Sequence, residues 1–182
     1  PTLSPEEALF AESPYRETTN IEEADFLYIR VPHISGEDQT DPELFRKEIE
    51  KIPVKAPMIC ANPDLFAHEG TPPRAVVRQG SIAALYQEMG GKVYYTGKPD
   101  PLAYFTAMDC FIARGIKEKT DVLMVGDNPS TDILGAKAFG MRSALITKTG
   151  LMGDRVNLFG EEQAISSLES DETPDFFIQT LG

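Results

Sequence analysis

Short apolar runs alternate with helix-period segments along this chain, most regularly in its second half. Residues 24–31 are apolar and β-prone, end at Pro32 and predict a buried strand, followed by a loop over 33–41. Asp41-Pro42 then predicts a helix start, with Asp41 as N-cap and Pro42 in the first turn, continued by Leu44, Phe45 and Ile49. A second strand over 57–61 stops at Asn62-Pro63-Asp64, and 65–78 read as a Pro- and Gly-containing connection. A helix over 80–89 closes at Gly90-Gly91. Beyond it come a strand over 92–96, a helix over 101–114 with Leu102, Phe105, Met108 and Ile112 on one side, and a strand over 121–125. A helix over 130–139, a strand over 143–147, a mostly irregular stretch over 148–170 with a short helix, and a last strand over 175–178 complete the pattern. Strands alternating with helices at this spacing predict an α/β fold with a parallel sheet and crossover helices.

Composition narrows the partners. An apolar fraction of 41% with 25% charged residues fits a globular chain, and no apolar stretch reaches the roughly 20 residues that span a bilayer. Net charge is −12, which disfavours nucleic acid and anionic membrane as partners and repels a phosphorylated ligand at long range. A phosphate site here therefore needs its own local positive potential. Cys60 and Cys110 are too few for a disulfide framework, and a reducing, cytoplasmic setting is the simplest expectation. The polar residues 1–20, rich in Glu, Ser, Thr and Pro, are expected to be loosely ordered or to wrap the surface. His33 and His68, the only histidines, are expected in loops, without the spacing of a catalytic or zinc site.

Chemistry gathers at two strand ends. In open parallel sheets ligands bind beyond the carboxyl ends of the strands. One strand leads into Thr96-Gly97-Lys98-Pro99, the other into Gly126-Asp127-Asn128-Pro129-Ser130-Thr131-Asp132. Gly126 permits a sharp turn, Asp127 points into the cleft, Asn128 caps the following helix, and Asp132 falls about one turn into it. Two carboxylates so placed suit Mg²⁺, which takes one or two protein carboxylates and keeps several waters. Lys98, expected at the same edge of the same sheet, supplies a point charge for phosphate oxygens. The same residues also fit a plain strand-to-helix turn with Asp127 as a cap, and Lys98 a solvated surface lysine.

These segments resemble the later motifs of the haloacid dehalogenase-like hydrolases. Thr96-Gly97-Lys98-Pro99 looks like the third motif. The run from Val125 to Ala136 looks like the fourth, with its Gly-Asp-x-x-x-x-Asp spacing intact. The continuation through Ala138-Phe-Gly-Met141 and Ala144-Leu-Ile-Thr147 to Thr149-Gly150 also fits, as does the closing Thr173-Pro-Asp-Phe-Phe-Ile178. Asn62-Pro63-Asp64 is similar to class IIA, whose large α/β cap is inserted in the core, a class of sugar-phosphate, nucleotide, pyridoxal and glycerol phosphatases. The resemblance implies a partial Rossmann-like three-layer core with a parallel sheet, plus part of an α/β cap. It puts the cap and the polar N-terminal segment at 1–79, with the boundary as late as 91, and the core at 80–182. It implies Lys98 as the residue holding nucleophile and phosphate together, Asp127 as Mg²⁺ ligand, and Asp132 as support for the metal site. Gly97, Gly126 and Asn128 support the loops, and Asn62 and Asp64 belong to the cap-side loop that touches the leaving group of a small phosphorylated substrate.

The family attacks phosphorus with the first Asp of an Asp-x-Asp motif, and no two Asp stand two apart in this sequence. Thr18-Thr19-Asn20 lacks the preceding apolar strand of the second motif. The expectation is a chain that starts inside the cap, lacks the nucleophile strand that lies beside the Asp127 strand, and is inactive alone. Such a chain is expected to be unstable, to form a homo-oligomer through the exposed edge, or to associate with its N-terminal half. A non-catalytic protein that binds a phosphorylated ligand or a partner on the same fold is the alternative.

Overall fold

The computed structural model describes residues 13–69 and 74–181, so the expectation for 1–12 lies outside the described residues. The chain divides into two compact units, 1–94 and 95–182.

The first unit is built on a three-stranded sheet in the order β1-β2-β5. Strand β1 (Leu27–Tyr28) runs parallel to β2 (Met58–Cys60), with Leu27 opposite Met58 and Tyr28 opposite Ile59. It is far shorter than the 24–31 expected. Leu27 and Ile29 donate to the β2 segment, at 2.8 and 3.2 Å. The Asp41 start is as expected: its carboxylate accepts from the Glu43 N–H, and the turn Pro42–Phe45 leads into helix α1 (Arg46–Ile49). Phe45 and Ile49 are buried, whereas Leu44 is exposed.

The stretch 65–78 is a correction. It forms an antiparallel hairpin, β3 (Phe66–Glu69) and β4 (Arg74–Val77), with Phe66 opposite Val77. His68 lies in β3 rather than in a loop. The strands were hidden because only Val76 and Val77 are deeply buried, and charged residues interrupt the apolar pattern. Arg78 follows at the base with its guanidinium almost fully enclosed. It donates to Asp38 at 3.1 Å and to Glu69, tying the 33–41 loop to the hairpin. An open polar depression of about 580 Å³, lined by Gly36 to Thr40 and Arg74, lies on that loop and holds none of the predicted site residues.

Helix α2 (Gln79–Glu88) buries Ile82, Ala83, Leu85 and Tyr86. The Tyr86 hydroxyl donates to the carbonyls of Ala56 (2.7 Å) and Pro53 (3.2 Å). Its ring leaves no space for a Cβ at Gly91. Strand β5 (Val93–Tyr95) then pairs with β2. This corrects the expected sheet membership: the strand leading to Lys98 belongs to the first sheet and not to the sheet that carries Asp127.

In the second unit, helix α3 (Pro101–Ile112) is capped by Asp100, whose carboxylate accepts from the Leu102 N–H. Its buried residues are Tyr104 and Met108; Leu102, Phe105 and Ile112 are each 54% exposed, so the core stripe is offset from the one predicted. Strands β6 (Leu123–Gly126), β7 (Arg142–Ile146) and β8 (Phe176–Ile178) are all parallel, in the order β6-β7-β8. Helix α4 (Leu134–Phe139) links β6 to β7 and ends at Gly140 in the left-handed region, φ +87°. Tyr104, Met108, Val122, Ala136, Phe139 and Met141 form one core cluster.

The stretch 148–170 is mostly helical, against expectation: α5 (Gly150–Phe159) and α6 (Glu161–Ser166) cover it. Gly153 sits inside α5 against the Lys148 backbone, and Gly160 (φ +83°) kinks the chain between the two helices. Ile133, Leu145, Met152 and Ala164 make the second cluster under them. The α/β class and the parallel strands are as expected. No helix among the described residues is long and apolar enough to cross a membrane.

Tyr86→Phe keeps the ring and strands two buried carbonyls. A loss of about 1–2 kcal/mol is expected in urea unfolding; unchanged stability would show that the hydroxyl does not tie α2 to the β2 approach.

Candidate functional site

The site grows from one buried carboxylate. Asp132 is 2% exposed and lies in a wide turn, Pro129–Ile133, rather than in a regular helical turn. The Asn128 carbonyl accepts from the N–H groups of Thr131, Asp132 and Ile133 at 3.4, 2.9 and 3.5 Å, the last being a π-type bond. The Asn128 side chain caps the turn through the Ser130 N–H at 3.1 Å, as its sequence position predicted. This turn brings Asp132 back beneath the end of β6, where its Oδ2 accepts from the Asp127 and Asn128 N–H groups at 3.1 Å each. Its Oδ1 meets the Lys98 ammonium at 2.5 Å. Every lone pair that faces the protein is thereby used, which is what permits a buried charge.

Gly126 is needed for a different reason than the one predicted. It is not among the glycines with positive φ. A Cβ there would instead land on the Asp132 carboxylate. Lys98 reaches Asp132 from the turn at the head of α3, in which the Asp100 N–H donates to the Gly97 carbonyl at 2.8 Å. The Lys98–Pro99 peptide is cis. The Lys98 side chain is 47% exposed, so its ammonium has donors left for a ligand.

Asp127 has a dual character. Its Oδ2 accepts from the Leu151 N–H at 2.8 Å, and its carbonyl from the Met152 N–H at 3.0 Å. It is thus a cap, though of α5 and not of the helix that follows it in sequence. Its Oδ1 has no hydrogen-bond partner among the described residues. Gly150, at φ +65°, makes the approach possible, since a Cβ there would land on the Asp127 carboxylate. Gly150 was visible in the sequence only as a continuation of the family likeness, without a role.

Tyr104 went unnoticed as a site residue because it reads as one more apolar position of α3. Its hydroxyl donates to the carbonyls of Thr131 (3.1 Å) and Asp132 (3.2 Å). Burial, reinforced by the negative charge of Asp132, pushes its pKa up to about 12.

Lys98, Asp127 and Asp132 are therefore brought together in the second unit. Asn62 and Asp64 stand in the first. There the Asn62 side chain accepts from the Asp64 N–H (3.1 Å) and pairs with Gln79 (3.4 Å), and the Asp64 carbonyl accepts from Gly80 N–H (3.0 Å). Cys60 adds a thiol bond to the Asn62 carbonyl, and burial raises the pKa of that thiol. The segment is a well-made turn into α2.

Chemically, the cluster presents an ammonium for an anion and one available carboxylate oxygen, Asp127 Oδ1, for a hard cation. No group of three or more His, Cys, Asp or Glu sits together among the described residues. A cation at Asp127 would complete its shell with water or ligand oxygens, the way Mg²⁺ usually binds. The donor set fits that ion as half of a site.

A family model described as HAD-hydrolase-like matches residues 95–181. No curated protein matches the chain. Among solved structures, it is similar to a haloacid dehalogenase-like hydrolase from Brucella suis (25% identity, TM-score 0.71, covering 94% of this chain and 60% of that one). It is also similar to a p-nitrophenyl phosphatase from Archaeoglobus fulgidus (25%, 0.61, 90% and 56%). A third likeness is to a glycerol phosphate phosphatase from Mycobacterium tuberculosis in complex with magnesium (24%, 0.54, 88% and 42%). The chain spans less than two thirds of the length of each.

Asp132→Asn removes the charge that faces Lys98 and turns an amide group toward it. Denaturant unfolding should show a loss of about 3 kcal/mol, and Lys98→Met, at a half-exposed position, less than about 1. Equal effects would contradict a buried organising carboxylate. Stability should also fall at high pH. The unfolded tyrosine ionises near 10.0, whereas folded Tyr104 holds its proton to about 12. This stabilisation is complete below pH 10.0 and lost as pH rises through that window, at about 1.4 kcal/mol per unit. Alkaline melts of Tyr104→Phe should lack this component.

Proposed function

We propose that the protein, whose residues 95–181 match the haloacid dehalogenase-like hydrolase model, acts as a Mg²⁺-dependent phosphatase on a small phosphorylated metabolite, a sugar phosphate or a nucleotide. The observation that carries the reading is the Lys98–Asp132 pair, whose Asp132 also holds the Asp127 N–H, with one Asp127 carboxylate oxygen left without a hydrogen-bond partner among the described residues. Lys98 neutralises phosphoryl oxygens, held in aim by Asp132. Asp127 Oδ1 holds the metal, and Asp132 holds the loop and the lysine rather than the metal, because both of its oxygens are engaged. Mg²⁺, when bound, supplies charge neutralisation at the phosphoryl group. The phosphatases among the structural neighbours, one of them holding magnesium, support the class of reaction.

The proposed route passes through an aspartyl-phosphate, which a second carboxylate then helps water to hydrolyse. The Asp-x-Asp for that attack is not among these 182 residues, so the reading assigns this chain the phosphate and metal half of the reaction. The first unit is proposed as cap, with Asn62 and Asp64 on the loop that meets the leaving group. Free Cys60 and Cys110 suit a cytoplasmic setting. Association with a nucleophile-bearing segment or a second copy would complete the site. The second reading is a phospho-ligand binder without turnover on the same fold, since Lys98 and Asp127 can hold an anion and a cation without any attacking group.

The test uses this chain with Mg²⁺ and inorganic phosphate as probes. Amide shifts at Asp127 and Asn128 should follow Mg²⁺, and Lys98 should follow phosphate. Asp127→Asn should weaken the first by tenfold or more, and Lys98→Met the second. With p-nitrophenyl phosphate the chain should show no turnover by itself. Hydrolysis by these residues alone, or no binding of either probe, would overturn the assigned roles.

A further inference from the structure

We propose that Tyr104 is a positioning residue for this site: its hydroxyl fixes the wide turn that carries Asp132, and through Asp132 it sets the place of Lys98 and of the Asp127 backbone. Its bearing on catalysis rests on the phosphatase reading; the geometry does not.

Lys98 and Tyr104 share one rigid segment. The turn 97–100 is closed by the Asp100 N–H on the Gly97 carbonyl, and Asp100 caps α3 through Leu102. Tyr104 follows one turn into that helix, 4% exposed, with its ring stacked on Phe139 at 5.7 Å. From there its hydroxyl reaches the carbonyls of both Thr131 and Asp132. Those carbonyls lie in the widened turn Pro129–Ile133, where three N–H groups share the Asn128 carbonyl and the Leu134 N–H is split between the carbonyls of Pro129 and Thr131. Such a turn is not held by a regular ladder, so an outside donor to its carbonyls has more to decide than it would in a continuous helix.

The turn and the helix it opens therefore tie the site twice. Lys98 holds the side chain of Asp132, and Tyr104 holds its backbone. Two ties from one segment fix the carboxylate in position and in rotation. Gly135 is shaped for the second: a Cβ there would land on the Tyr104 hydroxyl. Hydrophobic packing alone does not call for this, because a phenylalanine would fill the cluster equally well and would leave both carbonyls without this donor.

The experiment compares Tyr104→Phe with Met108→Ala in the full 182-residue chain, by amide hydrogen exchange. Met108 is buried in the same cluster and touches none of the site's hydrogen bonds. The Asp127 and Asn128 N–H groups report directly on the Asp132 carboxylate, and the Asp132 N–H on the turn. For Tyr104→Phe these three should exchange about tenfold faster than any change seen in β7 amides, the size expected for losing hydrogen bonds at one hydroxyl. Met108→Ala should speed all amides together. A uniform change in Tyr104→Phe, or none at the three reporters, overturns the proposal. A Mg²⁺ titration of both variants separates the two readings. Weaker Mg²⁺ binding in Tyr104→Phe alone supports both. Absence of Mg²⁺ binding in every form sinks the phosphatase reading, while the exchange ratio still decides the role of Tyr104.

Discussion

The second unit depends on a carboxylate that is buried and fully partnered. Asp132 pulls two backbone N–H groups at the tip of β6 onto one oxygen and a lysine onto the other. A bare carboxylate in that place would be prohibitive in free energy, so the surrounding sequence is constrained in several positions at once. Gly126 must lack a Cβ, Asn128 must gather the turn, and the turn itself must be wide. The arrangement is costly to bury and gives specificity of position in return, since the partners fit one orientation only.

That constraint also explains how an acidic protein keeps a site for an anion. The chain carries 29 acidic against 17 basic side chains, so the general field is repulsive. Locally, Asp132 spends its charge inward, on two amides and one lysine, and Asp127 spends half of its carboxylate on α5. Lys98 stays half exposed. What is left without a partner in the protein is the rest of the Lys98 ammonium's donors and a single carboxylate oxygen, a set suited to a phosphate accompanied by a divalent ion.

The alternation of strands and helices was legible from hydrophobic period, as were the caps at Asp41 and Asn128 and the stop at Gly90. These are local signals, written in two or three neighbouring residues. What was not legible was long-range. The strand before Lys98 looks like its later counterparts, and only its pairing with β2 assigns it to the first sheet. Nothing near Gly150 and Gly153 in the sequence shows that one yields to Asp127 and the other to the Lys148 backbone. The strands Phe66–Glu69 and Arg74–Val77 were masked by charged residues, one of which, Glu69, is met by Arg78 from outside the strands. At the site, residue identity announced Lys98, Asp127 and Asp132, but their division of labour was hidden. It depends on which oxygen faces which donor, and on a tyrosine hydroxyl 28 residues upstream of Asp132.

The most direct measurement is a crystal structure of this chain grown or soaked with Mg²⁺ and inorganic phosphate. The account predicts a metal on Asp127 Oδ1, a phosphate oxygen on the Lys98 ammonium, and Asp132 still bound to Lys98 and to the Asp127 and Asn128 amides. A metal ligated by Asp132 with Lys98 released from it, or both ions bound away from this cluster, would contradict it.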